Sequence, residues 1–480
     1  MEQFVLINHR IRLRWIPIAL FLWLTLGHFV LAQSAEGTKK VLTLEEAVDF
    51  ALKNYPAVRA SLERVRAAEA GVGLARTNYL PRADMLWQAN RATDNNITGL
   101  VLPQSVVAPI SGPVPISTSN RSAWGSAAGL LFSWEPFDFG YRGAKVEAAR
   151  AGRNRATAEA SLTHLDVAVA TVNAYLTVLA AEEAVQAAEA DVQRRETFGK
   201  AVRVLVDNQL RAGADASRAD AELARAKVRL ARAQQQEQVS RAVLTDILGM
   251  PDVAFEVRDS VLAGPPPEVP SRTSPVAVHP VAEVQHARVD EAQAQIHVLD
   301  RSWFPKLDFQ SSLYGRGSGL DPAGNFLGGT TGLGPDRSNW AAGVTVTFPG
   351  FDIFAIRSKK AIEIANQRAE SARYDQTLQD LTGQLRQAQA SLEGARHVAE
   401  NTPVELEAAR ATEIQETARY RAGLATLIEV ADAQSLLVQA ETDDALARLA
   451  VWQNLAAVAG AQGDLLPFLQ FLSGKTQGGP

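Results

Sequence analysis

The sequence predicts a mainly α-helical, elongated protein with a small β part, built from two similar halves. Three observations carry this. The punctuation is written twice: Pro56 and Pro81 stand 25 positions apart, and so do Pro280 and Pro305, 224 residues later. Two very long helical runs follow, each broken at Arg-Ala-Gly, at 211–213 and again at 421–423. Four short segments between the second proline and the long run of each half alternate polar and apolar residues with period two, which is a strand pattern.

The first 35 residues read as a secretory signal. Arg10, Arg12 and Arg14 precede an apolar run from Ile16 to about Ala32, and small residues then offer cleavage after Ala32 or Ala35. An uncleaved anchor is the alternative, with the run near the lower length limit for a spanning helix. Residues 36–262 form the first repeat, a proline-rich linker covers 263–275, the second repeat runs through 276–462, and 463–480 is expected to be a disordered tail. Cysteine is absent, which removes lipid anchor, disulfide and thiolate metal site together. A formal charge of −5 and no basic stripe give nucleic acid no footing.

The alternating segments are roughly Ala83–Arg91, Trp124–Trp134, Leu307–Gly315 and Trp340–Phe348. In the second, Trp124, Ala128, Leu130, Phe132 and Trp134 share a face; in the fourth, Trp340, Ala342, Val344, Val346 and Phe348 do. Each is close to the ~9–11 residues of a tilted membrane strand, and the Trp residues at 87, 124, 134, 303 and 340 suit aromatic girdles. Beyond the signal no apolar stretch of about 18 residues is apparent, so a bilayer would be crossed by strands. Four strands do not close a barrel, so closure would need several copies of the chain. A soluble sheet packed on the helices is the competing reading. The long Gly-, Pro-, Ser- and Thr-rich loops 92–122 and 317–339 favour the membrane.

From Gly143 to Gln209 no proline occurs, and roughly 65 residues of helix span about 100 Å. Leu162, Leu165, Val169, Val172, Leu176 and Leu179 hold heptad spacing, as do Leu378, Leu381, Leu385, Ala388, Leu392 and Ala395, and these are coiled-coil seams. Alanine off the seams permits neighbours on several sides, as in a ring of helices. Returning helices begin after the Arg-Ala-Gly turns, which places the hairpin tips at Gly213 and Gly423, where glycine suits a reversal.

No nucleophile elbow, phosphate loop, dinucleotide fingerprint or zinc signature appears, so no enzymatic activity and no cofactor are expected. His279 and His286 could meet on one helix face, but without a carboxylate cluster they read as solvated surface residues. Glu429 and Asp432 share a helix face just past the second tip. Acids at a helix start commonly serve the dipole; repeated around an axis, the same pair becomes two carboxylate rings that attract cations.

Taken in order, from Leu42-Thr43-Leu44-Glu45-Glu46-Ala47 and Asn54-Tyr55-Pro56 to the helix ending near Gly460, these residues resemble the TolC-like outer membrane efflux proteins. The resemblance covers nearly the whole mature chain and rests on the duplicated order of helix, strand hairpin, long helix, Arg-Ala-Gly turn and returning helix. It implies a long coiled-coil α-barrel tunnel plus four membrane strands per chain, closing as a twelve-stranded β-barrel in a homotrimer in outer membrane lipid. It also implies a periplasmic adaptor and an inner-membrane pump as partners, and a passive duct that opens when the adaptor docks. The family's adaptor-contact turns match Gly213 and Ala214, and Gly423, Leu424, Ala425 and Thr426; its gate aromatic matches Tyr420, and its acidic rings Glu429 and Asp432. The arginine and the acid that lock the family's mouth fall on Ala425 and Ala219, with Asp220 one residue displaced, so a different lock is expected. A soluble periplasmic coiled-coil adaptor or structural protein is the alternative, and it leaves the two aromatic-ended hairpins unexplained.

Overall fold

The computed structural model of the protein describes residues 40–93, 120–249, 255–257, 275–321, 323 and 325–472. The signal, the linker up to residue 274 and the tail from 473 lie outside the described residues, as does most of the first hairpin loop. The chain runs β1 (Lys40–Leu42), α1 (Leu44–Asn54), α2 (Pro56–Thr77), β2 (Arg82–Thr93), β3 (Ser122–Phe137), α3 (Tyr141–Asp207), α4 (Gly213–Leu248) and β4 (Phe255–Val257). It continues with α5 (Pro280–Ser302), β5 (Lys306–Ser318), β6 (Arg337–Thr347), α6 (Asp352–Arg421), α7 (Leu427–Ala461) and α8 (Leu466–Leu472). Pro56 and Pro280 each open a helix at its first turn, where a missing N–H costs nothing.

The sheet has the order β2-β3-β5-β6, antiparallel throughout, which leaves β2 and β6 as open edges. Its strands extend one to three residues past most of the expected limits because the backbone ladder continues where the alternation has already faded. Gly129 lets two strands approach: a Cβ there would stand 2.5 Å from the Tyr314 Cβ.

Two 67- and 70-residue helices, α3 and α6, give the molecule its length, about 100 Å each. The core sits midway along α3, where Val172 and Leu176 of the first seam, with Tyr175 beside them, pack with Leu44, Leu244, Trp452 and Phe468. Here α1 and α8 form a collar with the small parallel pair β1–β4, and the Tyr175 hydroxyl donates to the Leu42 carbonyl at 2.9 Å.

Several expectations are corrected. The segment after Gly463 is not structureless throughout: α8 buries Phe468, Leu469 and Leu472, because its apolar face completes the collar. His279 is buried rather than solvated. Its Nδ1 accepts from the Val281 N–H and its Nε2 therefore donates to the Gly460 carbonyl, both at 3.1 Å, tying the start of α5 to the end of α7. Burial holds its pKa down, only partly countered by the Gly460 carbonyl and by Asp166 and Glu283. Helix α3 does contain an 18-residue window apolar enough to cross a membrane, but half of that window is buried within the protein, as a core helix requires.

Candidate functional site

Register decides what the sheet presents. Met85 lies opposite Leu130, Leu130 opposite Leu313, and Leu313 opposite Trp340, so one face carries most of the large apolar residues of the four strands. That face is open: Met85 is 84% exposed, Trp340 79% and Val344 62%. A broad, mainly apolar surface of this kind is disfavoured in water and suits lipid. The other face carries Asp84, Gln310, Ser312, Tyr314 and Thr345 and is partly shielded, as the concave side of a curled sheet is. Trp124 and Trp340 stand near the loop ends of the strands. Trp134, Phe137, Trp303 and Phe304 gather at the helix ends, where Phe139 stacks on Phe304 with centroids 5.8 Å apart. Aromatic rings at both margins mark the two boundaries of a membrane band.

A buried joint fixes the sheet to the helices. Asp138 accepts from the Arg142 backbone N–H at 2.6 Å, from Arg142 Nε at 2.9 Å and from the Gly140 N–H at 3.1 Å. Arg142 in turn donates to the Asn78 carbonyl and lies over the Tyr79 ring, so one ion pair holds β3, α2 and α3 together. Burial raises the Asp138 pKa, but the hydrogen bonds and charge of Arg142 and the Gly140 N–H outweigh it and leave the pKa low.

At the far end the two hairpin tips share one geometry. In the second, Gly423 has φ 81°, the Gly423 N–H bonds to the Tyr420 carbonyl and the Leu424 N–H to the Arg419 carbonyl. In the first, Gln209 has φ 58°, the Gln209 N–H bonds to Val206 and the Leu210 N–H to Leu205. Both are Schellman reversals. The left-handed position of the first tip is therefore Gln209, not Gly213, and the Arg-Ala-Gly match pairs residues four positions out of step. Gly213 and Ala214 already lie in the first turn of α4, whereas Gly423, Leu424, Ala425 and Thr426 do form the second turn. With Gln209 against Gly423 the offset between halves is 214, the same as between Phe137 and Phe351, so the long helices stay in step throughout.

This shift finds the acid that sequence matching misses. Tyr420 is 1% exposed, packed against Phe198 and in a cluster with Val202, Ala219, Ala425, Leu427 and Val430. Its hydroxyl donates to Asp215 Oδ2 at 3.2 Å, and Arg211 lies 4.4 Å over its ring while donating to its carbonyl at 2.7 Å. Arg211 and Asp215 thus tie the first tip to the second. Ala219 packs in the apolar cluster, and Asp220 pairs instead with the exposed Arg203. The signal for this arrangement was Asp215 itself, six residues after the reversal as Glu429 is; it was hidden because the left-handed residue is glutamine.

Glu429 closes a capping box on α7: its Oε2 accepts from the Thr426 N–H and hydroxyl, while its own N–H donates to the Thr426 hydroxyl. Those Thr426 bonds, backbone first, hold its pKa down. Asp432 is exposed on the same helix face, with no side-chain partner among the described residues.

Above the tip lies a buried charge network. Asp191, 1% exposed, accepts from Arg195 at 2.9 Å and Arg229 at 2.6 Å, and Arg195 reaches Glu222 and Ser435, so α3, α4 and α7 are joined.

A sheet with a lipid-facing side, a polar concave side and two open edges, carried on helices about 100 Å long, defines a membrane channel protein with a helical tunnel. The chain belongs to the outer membrane efflux protein family, whose pattern it matches over residues 47–250 and 280–464. It is similar to the protein CyaE of Bordetella pertussis, with 26% identity over 439 residues, covering 88% of this chain and 84% of that protein. It is also similar to the pyoverdine export outer membrane protein OpmQ of Pseudomonas aeruginosa, with 25% identity over 436 residues, covering 88% and 85%. Among solved structures the outer-membrane channel OprN superposes with a TM-score of 0.70 at 20% identity, covering 88% of this chain and 89% of that one. The protein is an outer membrane channel of an efflux or secretion system with its helical part in the periplasm, and the soluble alternative is set aside.

Proposed function

We propose that three copies of the chain close one twelve-stranded barrel above a common helical tunnel, forming a passive export duct that opens when a periplasmic adaptor, coupled to an inner-membrane pump, docks at the tips. The observation that carries this is the pair of open edges, β2 and β6, on a sheet that is apolar on one side and polar on the other. An antiparallel sheet of even strand number continues into a copy of itself with β6 beside β2, and closure removes the exposed edges that a sheet otherwise presents. The helices support the same assembly. In all its length α6 buries few residues, and it leaves Ile362, Val398, Val404 and Ile414 exposed, while α4 leaves Val228, Val239 and Val243 exposed; neighbouring copies would cover these.

In this reading the tips are the gate. Arg211 and Asp215 hold Tyr420 and so hold the mouth closed within each chain, in place of a lock through positions 425 and 219. The adaptor engages the second turn, Gly423 to Thr426, and the first at Gln209 to Ala214. Glu429 and Asp432, repeated around the axis, form acidic rings just inside the mouth. Cargo is selected by the pump, and the duct catalyses nothing.

The test is the native mass of protein extracted in detergent from the membrane fraction. A trimer supports the shared barrel; a monomer or dimer that leaves the membrane with salt alone overturns it.

A further inference from the structure

The concave face of the sheet is not uniform along its length. Towards the helices it holds Asp84, paired with Arg82 at 2.9 Å, and Asp308. Towards the loops, one row across the strands reads Gln88, Ala127, Arg316, Arg337, each directly opposite the next. Arg316 and Arg337 therefore stand side by side on the concave face, at the outer end of β5 and β6. Directly opposed like charges destabilise a sheet, and residues so paired have Cβ atoms only ~5 Å apart.

Neither arginine has an ion-pair or side-chain partner among the described residues, and their direct opposition across two strands sets them apart from the other unpaired arginines of the chain. Asp336 is next to Arg337 in sequence, yet its recorded bond is through its backbone N–H to the Arg316 carbonyl. The loop residues 94–119 and 319–336 carry Asp94, Asp321 and Asp336 and no base. Among the described residues the two arginines are thus a pair of fork-shaped donors with no paired acid, on the face that would line the barrel. Guanidinium forks match oxyanions in geometry as well as charge.

We propose that Arg316 and Arg337 of each chain form an arginine ring inside the outer mouth of the barrel that binds polyvalent oxyanions. The inference rests on the trimeric barrel proposed above. Six guanidinium groups around a narrow, low-dielectric-walled mouth focus a positive potential there. The duct then has opposite polarity at its two ends, with carboxylates at the periplasmic tip and arginines at the exit. Anionic cargo that has passed the tip meets an attractive site on its way out, and polyvalent anions outside meet the same site as a plug.

The test is current through the full-length protein in planar bilayers at about 0.1 M salt, where the Debye length is ~10 Å, with sodium triphosphate added to either side. Block from the barrel side is expected in the natural protein. Arg316→Gln with Arg337→Gln should raise the half-blocking concentration about tenfold or more, the loss of one or more charged hydrogen bonds. Arg316→Lys with Arg337→Lys should stay within a few-fold of the natural protein, which separates charge from any defect of assembly. Equal block of the natural and glutamine forms, or no barrel-side block in a conducting natural pore, overturns the arginine site and leaves the duct standing. No conductance from a detergent-stable natural protein overturns both.

Discussion

The latch at the tip yields a prediction that can be worked from the contacts. Arg211→Ala removes a charged hydrogen bond to the Tyr420 carbonyl and a cation over the Tyr420 ring. The first contributes roughly 1.5–3 kcal/mol and the second roughly 0.5–1, and Arg211 is partly hydrated, so about 2 kcal/mol is expected. If the contact exists only in the closed tip, the closed-to-open ratio falls by about 30-fold, at 1.4 kcal/mol per factor of ten. Tyr420→Phe removes only the bond to Asp215, whose partial exposure lets it rehydrate; about 1 kcal/mol, or roughly fivefold, is expected. The double variant should fall short of the product of the two, because both substitutions act on one network. Arg203→Ala serves as a control, since the Arg203–Asp220 pair is exposed and such pairs contribute little. The assay is open-state occupancy in single-channel records. The latch is refuted if Arg211→Ala and Tyr420→Phe leave occupancy within twofold of the control variant.

Further outcomes are expected at the joint, at the acidic rings and in the sheet. Asp138→Ala leaves the Arg142 guanidinium buried without its carboxylate and should cost about 3 kcal/mol, read as a lowered melting temperature of the detergent-solubilised protein. The folded pKa of Asp138 is depressed, so its stabilisation is complete above the unfolded value of about 4 and is lost as pH falls through the folded value; Asp138→Asn should flatten that acid limb of the melting profile. Glu429→Gln with Asp432→Asn keeps the capping box, which accepts glutamine, yet removes the charge; block by trivalent cations from the tip side should disappear, whereas unchanged block refutes the acidic rings. Gly129→Val puts a branched side chain where even a Cβ has no room beside Tyr314, so the β3–β5 register should fail and membrane insertion with it; ordinary yields of inserted protein would contradict this register.

Much of this molecule is legible in the sequence because its elements are long and repetitive. Period-two alternation in the four strand segments, heptad spacing in the long helices and paired prolines are local signals, and local signals repeated over many residues leave few alternatives. The face shared by Trp124, Leu130 and Trp134, and that shared by Trp340, Val344 and Val346, needed no coordinates, since strand geometry imposes them. The duplicated order was likewise plain enough to establish the fold class and the family.

What required the tertiary structure was every relation between residues distant in the chain. The reversal at Gln209 is invisible to a reading that looks for glycine, because a Schellman turn is defined by backbone hydrogen bonds and tolerates other residues at a small energetic cost. Once that position is known, Asp215 and Arg211 fall opposite Tyr420, some 200 residues away. In the same way the alternation of β5 and β6 says which residues share a face, but only cross-strand pairing sets Arg316 beside Arg337. Periodicity fixes the side of an element on which a residue lies; packing alone decides what it meets there.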